Sequence, residues 1–158
     1  MTPTPETELT PEQLSKARLR LWLKLLRASG RIEDEVRRRL RSDLDWTLPR
    51  FDVMSVLARQ PEGMKMNEIS KKLRVSNGNI TGIVDKLTEE GLTLRVPVPG
   101  DRRAHKVCLT PKGEDVFAEH AAIHEGWING ILGGLNSDDI EGMIRRLDQL
   151  DLTLDEGR

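Results

Sequence analysis

The sequence predicts a mainly α-helical protein that contains one small β-hairpin. Several long segments carry apolar residues at three- and four-residue spacing, which is typical of helices with one buried face. Between residues 92 and 109, apolar and polar residues instead alternate on both sides of a turn rich in proline and glycine, as in the strands of a hairpin. Of the 158 residues, 37% are hydrophobic and 32% are charged, which indicates a folded domain rather than a disordered chain.

The first predicted helix starts at Thr10, after an acidic segment, residues 1–9, that is expected to be a flexible tail. Thr10 provides the cap, Pro11 the first helical residue and Gln13 the reciprocal capping contact. The helix has more apolar residues than one face can hold: Leu14, Ala17, Leu19, Leu21, Trp22, Leu23, Leu25 and Leu26. A second copy of the chain would cover the extra face, and burial inside the monomer is the alternative. Residues 10–46 are therefore predicted to form one or more dimerisation helices.

Two shorter helices are predicted before residue 76. Thr47, followed by Leu-Pro, opens the first of them. Met64 is predicted to begin a short strand that pairs with the hairpin. The second helix follows with Ile69 and Leu73 on its apolar face, and because Lys65 is a poor cap the sequence does not fix where this helix starts.

The segment from residue 75 to residue 110 carries the most informative pattern. Ser76 is predicted to cap a helix, since its hydroxyl can accept a hydrogen bond from an amide of the first turn. The apolar face of that helix consists of Ile80, Ile83, Val84 and Leu87. Gly91 ends it, because glycine adopts the left-handed conformation at least cost, and the hairpin turn lies at Pro97, Pro99 and Gly100. Two helices joined by a tight turn and followed by a hairpin form a winged helix-turn-helix, whose second helix fits the major groove of DNA.

A series of short motifs runs through this segment and beyond it. They are Val75-Ser76, Ile80-Thr81, Val84-Asp85, Leu87, Glu90-Gly91-Leu92, Asp101-Arg102-Arg103-Ala104, Val107, Leu109-Thr110 and Gly113. Together these motifs resemble the MarR family of bacterial transcriptional regulators. The resemblance extends from Leu19 to Leu150, and the run DRRAHKVCLTPKG is its most specific part. It implies a winged helix-turn-helix flanked by N- and C-terminal dimerisation helices.

The predicted recognition helix offers two kinds of contact to DNA. Asn77 and Asn79 lie in its first turn, where an asparagine can pair with adenine in the major groove, and Gly78 between them permits close approach. Phosphate contacts are expected from three other side chains, helped by the positive end of the helix dipole: Ser76, Thr81 and Lys86. For Ser76, a capping role alone is the alternative, and the two roles are compatible.

The hairpin, or wing, carries Asp101, Arg102 and Arg103 after its turn. A guanidinium suits a narrow minor groove with enhanced negative potential. By resemblance, Arg103 is the residue at the groove and Asp101 steadies the turn. A solvated hairpin tip is the alternative, and it is weaker here because the whole motif is present.

Two helices are predicted after the wing. Thr110-Pro111 opens a long one that Gly133-Gly134 ends, and Ser137-Asp138-Asp139 is predicted to cap a final one. We assign residues 47–110 to the winged helix-turn-helix DNA-binding domain and residues 111–158 to C-terminal dimerisation helices.

The charge is distributed unevenly along the chain, although the net charge is −1. Residues 16–50 carry 11 basic and 5 acidic side chains, and residues 61–110 carry 9 basic and 6 acidic ones. Residues 111–158 carry 4 basic and 11 acidic side chains. Basic regions that can neutralise phosphates support DNA affinity. Three interpretations stay open for the cluster Arg37, Arg38, Arg39 and Arg41: surface charge, a DNA-flanking patch or a site for an anionic effector.

The resemblance also implies release of DNA by a small ligand. Candidate lining residues are Trp22, Leu26, Arg27, Trp46, Phe51, Met54, His120 and Trp127. Apolar walls with a few cations suit an aromatic or phenolic carboxylate or an acyl thioester, and core packing is the alternative for each aromatic residue. His120 and His124 have a spacing that can bind metal, but no further ligands complete a site, so packed histidines are favoured and no cofactor is predicted.

The expected function is that of a sequence-specific, homodimeric transcriptional repressor that a small effector releases from a pseudo-palindromic operator. A winged-helix module for protein–protein contact is the alternative. An enzyme is not expected, because no phosphate-binding glycine loop, nucleophile elbow or metal-ligand cluster is present. A polar N-terminus, the lack of a long apolar run and a single cysteine predict a cytoplasmic protein without a membrane partner. Peroxide-sensing members of the family that the chain resembles use a cysteine near the first helix, whereas Cys108 lies in a wing strand, so the resemblance disfavours thiol sensing.

Overall fold

Residues 8–157 are described by the structure, a computed structural model, and they form helices and one small sheet. Two compact units are present, one ending at Asp52 and one beginning at Val53. The elements are α1 (Pro11–Leu44), α2 (Leu48–Ala58), β1 (Met64–Lys65), α3 (Met66–Leu73), α4 (Asn77–Glu89), β2 (Thr93–Val98), β3 (Asp101–Leu109), α5 (Pro111–Ile131) and α6 (Ser137–Glu156). Residues 1–7 of the predicted tail lie outside the described residues.

In the first unit, α1 is one continuous helix of 34 residues. Its predicted start is confirmed: the Gln13 amide donates to Thr10 Oγ1 at 3.3 Å, and the Thr10 amide donates to Gln13 Oε1 at 2.9 Å. The helix ends where Asp45 adopts the left-handed conformation with φ 53°. The residue after it, Trp46, is buried, and the Arg50 guanidinium carbon lies 4.6 Å from the centroid of its ring.

In the second unit, a core of aliphatic side chains holds the helix-turn-helix together. The fully buried members include Met54, Leu57, Ile69, Ile80, Val84, Leu87 and Val107. They come from α2, α3, α4 and β3, at the helical and alternating spacings that the sequence predicts. The start of α3, which the sequence left open, is Met66, with the Lys65 amide donating to Glu68 Oε2 at 2.8 Å.

The sheet has the order β1-β3-β2, with both pairs antiparallel. The predicted strand at Met64 is confirmed and pairs opposite Val107. Pro97 is a correction: the sequence places it in the hairpin turn, but it lies in β2 opposite His105. Because β2 is an edge strand, a residue without an N–H can be accommodated there, and the register shifts immediately after it. We call residues 93–109, which comprise β2, the turn and β3, the wing.

Of the two predicted caps of the C-terminal helices, one is confirmed and the other is wrong. Thr110 caps α5 as predicted, with its Oγ1 accepting from the Gly113 amide at 3.0 Å. The cap of α6 is Asn136, not Ser137, because Asn136 and Asp139 form a reciprocal capping box with distances of 2.9 and 3.1 Å. An asparagine one residue earlier satisfies the same amides as well as a serine would, so composition alone does not separate the two.

The start of α5 lies directly against the end of α4 and the base of the wing. The Thr110 amide donates to the Leu92 carbonyl at 3.0 Å, and Thr110 Oγ1 donates to the Gly91 carbonyl at 2.6 Å. Lys112 Nζ donates to the Glu90 carbonyl at 3.0 Å. Gly113 is required here, since a Cβ atom at that position would stand 2.0 Å from the Leu92 carbonyl oxygen.

Candidate nucleic-acid interface

The site begins with the outward face of α4. Ile80, Val84 and Leu87 are fully buried, so they fix the opposite face of the helix toward solvent. The predicted cap is confirmed: Ser76 Oγ accepts from the Asn79 amide at 3.4 Å. Ser76 caps the start of α4 with a small side chain, and the first turn of the helix is exposed.

The exposed first turn carries Asn77, Gly78 and Asn79. A Cβ atom at Gly78 would meet nothing within 4 Å, so the fold of the chain itself does not require a glycine there. One turn later, Thr81 Oγ1 donates to the Asn77 carbonyl at 2.9 Å. Lys86 is exposed further along the same helix. The Thr81 hydroxyl therefore already donates a hydrogen bond within α4. The side-chain polar groups of Asn77, Asn79 and Lys86 make no hydrogen bond within the helix among the described residues.

The wing supplies the cations of the site. Asp101, Arg102 and Arg103 form the exposed start of β3, immediately after the Pro99-Gly100 turn. The Asp101 carboxylate accepts a hydrogen bond from the Arg103 amide at 3.0 Å. This contact fixes the backbone at the tip, so that the Arg103 side chain starts from a defined position.

Between α4 and the wing lies a recess of about 520 Å³. It is lined by Lys65, Met66, Asn67, Asn77, Thr81, Arg95, Arg103, Ala104 and His105. Three of the predicted DNA contacts therefore meet in one concavity, namely Asn77, Thr81 and Arg103. The recess therefore combines uncharged polar groups with guanidinium groups, and protein–DNA interfaces use both kinds of group.

Comparison with known proteins identifies the fold and the family. A family model described as MarR family matches residues 46–105, which contain α2, α3, α4 and most of the wing. The regulator MhqR of Bacillus subtilis is 29% identical over 133 residues, covering 81% of this chain and 87% of MhqR. Residues 46–105 are therefore a MarR-family domain.

Solved structures of MarR-type regulators share the fold. FabT of Streptococcus pneumoniae, determined in complex with DNA, superposes with a TM-score of 0.71 at 23% identity, covering 89% of this chain and 99% of FabT. BpsR of Bordetella bronchiseptica, whose DNA binding is regulated by 6-hydroxynicotinic acid, superposes with a TM-score of 0.69 at 23% identity, covering 84% of this chain and 98% of BpsR. The MarR-family domain and the similarity to the transcriptional regulator MhqR support the assignment of this chain as a DNA-binding transcriptional regulator.

The remaining predicted DNA contacts do not line the recess. Ser76, Gly78, Asn79 and Lys86 lie elsewhere on α4 or at its cap, and Asp101 and Arg102 lie at the wing tip. Conversely, several lining residues were not predicted from the sequence: Lys65, Asn67, Arg95 and His105. The sequence pattern could have indicated Arg95. It lies between the apolar Leu94 and Val96, so its side chain is on the opposite face of the strand from theirs. For Lys65 and Asn67 no local pattern indicates that the start of α3 faces the wing.

The arginine cluster of α1 is largely neutralised by its own helix. Arg37 pairs with Glu33 at 2.6 Å and with Asp34 at 3.2 Å. Arg38 and Arg39 both pair with Glu35, at 2.7 and 2.6 Å, and these contacts lower the pKa of Glu35 to about 2. These pairs favour the surface-charge interpretation over a site for an anion.

The candidate effector residues differ in exposure. In the first unit, Trp22, Leu26 and Arg27 are exposed on α1, whereas Trp46 and Phe51 are buried. In the second unit Met54 and Trp127 are buried and His120 is half-buried. Burial of Trp46, Phe51 and Trp127 fits core packing, which is the alternative for each aromatic residue.

His124 of α5 packs beside Trp127. The His124 ring lies edge-on to the Trp127 ring with 6.3 Å between centroids, and burial lowers the pKa of His124. Among residues 8–157, no group of three histidine, cysteine, aspartate or glutamate side chains is placed to hold a metal ion. None of the described helices combines the length and apolar character needed to cross a membrane.

Proposed function

We propose that the chain is a homodimeric regulator that binds a pseudo-palindromic operator, with α4 in the major groove and the wing at the adjacent minor groove. The observation that carries this proposal is the recess in which Asn77 and Thr81 of α4 face Arg103 of the wing. A duplex that enters this recess meets base-reading and phosphate-binding groups at the same time.

The side chains of α4 divide by chemistry. Asn77 and Asn79 read base edges, since each can donate to and accept from adenine, and Gly78 allows the duplex to approach the backbone. Ser76, Thr81 and Lys86 contact phosphates. The exposure of the first turn and the partial positive charge at its end support this division.

On the wing, Arg102 and Arg103 are positional contacts to the minor groove, and Asp101 holds the tip in shape. The hydrogen bond from the Arg103 amide to Asp101 supports this role. A guanidinium inserted into a narrow groove adds affinity, while the sequence is read mainly by α4.

Dimerisation is proposed to use α1 and α6. In the single chain, α1 exposes Leu14, Leu19, Leu21, Trp22, Leu23 and Leu26, and α6 exposes Ile140, Met143, Ile144, Leu147, Leu150, Leu152 and Leu154. Apolar surface on this scale is uncommon on a monomer, and a two-fold partner is its commonest cover. The symmetric dimer would place two copies of α4 on half-sites about one helical turn apart, roughly 10 bp.

A small effector is proposed to release the operator and so relieve repression. The support is the regulation of BpsR by 6-hydroxynicotinic acid, a small aromatic anion. Aromatic and phenolic carboxylates and acyl thioesters are the compounds to test, with displacement of labelled operator as the measurement. If no member of such a panel displaces the operator, the proposed effector class is wrong.

The test of DNA binding is a titration of labelled upstream DNA, followed by fluorescence anisotropy at several salt concentrations. Arg103→Ala should weaken binding and reduce the slope of log K against log salt by about 1, because one cation that displaces counterions from the duplex is lost. Arg59→Ala, which removes an equal charge from an exposed residue outside the recess, is the matched control. An unchanged affinity and slope for Arg103→Ala would refute the wing assignment.

A winged-helix module for protein–protein contact is the second candidate function. It predicts that the purified chain ignores its own upstream DNA even at low salt. Sedimentation of the free protein tests the dimer, and single chains at micromolar concentration would contradict the symmetric operator.

A further inference from the structure

Two side-chain contacts join α4 to the wing strand β2. At the buried end, the hydroxyl oxygens of Thr88 and Thr93 lie 2.9 Å apart. At the exposed end, Arg95 Nη2 donates to Asp85 Oδ1 at 2.6 Å. Asp85 precedes Thr88 by three residues and Arg95 follows Thr93 by two, so both contacts use one face of the helix and one face of the strand.

The exposed contact adds little to the stability of the fold. The Arg95 and Asp85 side chains are 43% and 53% exposed, and ion pairs of that kind contribute between about 0 and 1 kcal/mol. The buried residues beneath α4 and the buried Thr93 already attach the helix to the sheet. The Asp85–Arg95 pair is therefore better explained by a role in binding than by a role in stability.

The position of Arg95 indicates that role. Its side chain lines the recess together with Asn77, Thr81 and Arg103. A guanidinium has five N–H donors, and within residues 8–157 only the contact to Asp85 uses them. The remaining donors are available to an anion in the recess, and a guanidinium fork matches the oxygens of a phosphate.

We propose that Asp85 is a positioning residue that holds Arg95 as a fixed contact for a phosphate of the DNA backbone. This rests on the proposed function of the recess. An arginine that is free to rotate loses conformational entropy when it binds, whereas one already held by a carboxylate loses less. Asp85 therefore strengthens operator binding although its own charge repels DNA.

The two effects of Asp85 have opposite signs, which makes the proposal testable. If charge alone mattered, Asp85→Asn would tighten binding by removing a negative group near the duplex. We expect it instead to weaken binding to the operator about three- to tenfold, the cost of immobilising one long side chain. Glu89→Gln is the matched control, since Glu89 is an exposed carboxylate on the same helix without an ion pair among the described residues.

The experiment is a fluorescence anisotropy titration of the full chain with a labelled operator duplex and a scrambled duplex, across a series of KCl concentrations. Asp85→Asn should lower affinity for the operator and for the scrambled duplex alike, because a phosphate contact carries no sequence information, and should keep the wild-type salt slope because the charge of Arg95 remains. Arg95→Gln should reduce the slope by about 1. Operator affinity of Asp85→Asn at or above that of wild type, or an unchanged slope for Arg95→Gln, would overturn the proposal.

A second measurement does not depend on DNA. NMR relaxation of the Arg95 Nε–H group in the free protein should show faster side-chain motion in Asp85→Asn than in wild type, while the unfolding midpoint stays at the wild-type value. Equal motion in the two proteins would show that Asp85 does not hold Arg95. If wild type binds neither duplex, the proposed function fails instead, and the relaxation measurement still decides whether Asp85 positions Arg95.

Discussion

Helices α4 and α6 both carry apolar residues at helical spacing, but their surroundings differ. In α4, Ile80, Val84 and Leu87 are completely buried within the chain. In α6, which has 20 residues and a complete capping box, no residue is buried, and Ile144 is 55% exposed. The same type of pattern thus produces a covered face in one helix and an open face in the other.

The difference shows which part of the molecule is complete as a single chain. The polar face of α4 is held outward by a finished core, so its side chains are ready to meet a ligand. The apolar face of α6 lacks that cover, and isolated helices in water are only marginally stable without packing. The folding of α6 is therefore expected to depend on contacts beyond the single chain, and the following substitutions test this contrast.

The largest effect is expected at Leu87. Leu87→Ala should lower the free energy of unfolding by about 2–5 kcal/mol, because a fully buried side chain leaves a cavity. The same change in α6, Leu147→Ala, should alter the unfolding of single chains by less than about 0.5 kcal/mol. Urea denaturation of both variants at low protein concentration compares them, and equal losses would remove the contrast between the helices.

Gly113 should give the next largest effect. Gly113→Ala forces a Cβ atom against the Leu92 carbonyl oxygen, and such overpacking costs about 2–3 kcal/mol. Gly126→Ala on the same helix meets nothing within 4 Å and should gain about 1 kcal/mol from helix propensity. Thermal unfolding that ranks the two variants in the opposite order would show that α5 does not lie against Leu92.

A charge on the open face of α6 should act on assembly rather than on the core. Ile144→Glu is expected to raise the dissociation constant of the dimer at least tenfold, or about 1.4 kcal/mol. Thr153→Glu adds the same charge at an exposed polar position of α6 and should have a smaller effect. Analytical ultracentrifugation measures both, and an unchanged association for Ile144→Glu would mean that this face is not the interface.

The smallest effect is expected in the turn before α4. Arg74 adopts a left-handed conformation with φ 54°, which costs a residue with a Cβ about 1–2 kcal/mol. Arg74→Gly should therefore stabilise the protein by about 0.5 kcal/mol, after the greater entropy of glycine in the unfolded chain is subtracted. Lys71→Gly, inside α3, should instead destabilise it by about 1 kcal/mol. A loss of stability in Arg74→Gly would indicate that the arginine side chain makes a stronger contribution than the strain.

Local chemistry was predictable from the sequence, and long-range geometry was not. The caps at Thr10, Ser76 and Thr110 follow from a hydroxyl placed three residues before the amide that it satisfies. The cap of α6 was misplaced by one residue because Asn136 and Ser137 have similar capping ability.

The candidate site shows the same division. The exposed polar residues of α4 and the wing arginines could be predicted, because their spacing and chemistry are local. The contact between Asp85 and Arg95 could not, since it depends on the angle at which the hairpin leaves α4. Pro97 was also misplaced, because whether a strand is at the edge of a sheet is decided by its partners and not by its own sequence.

The three hydrogen bonds at the start of α5 anchor one end of a long helix to the segment that follows α4. With 21 residues at 1.5 Å per residue, it extends about 32 Å from the anchored carbonyls of Glu90, Gly91 and Leu92. A tilt of about 5° about this anchor moves the far end by about 3 Å. Because Glu90, Gly91 and Leu92 directly follow α4, these three hydrogen bonds are the contacts through which such a tilt would act on the end of α4.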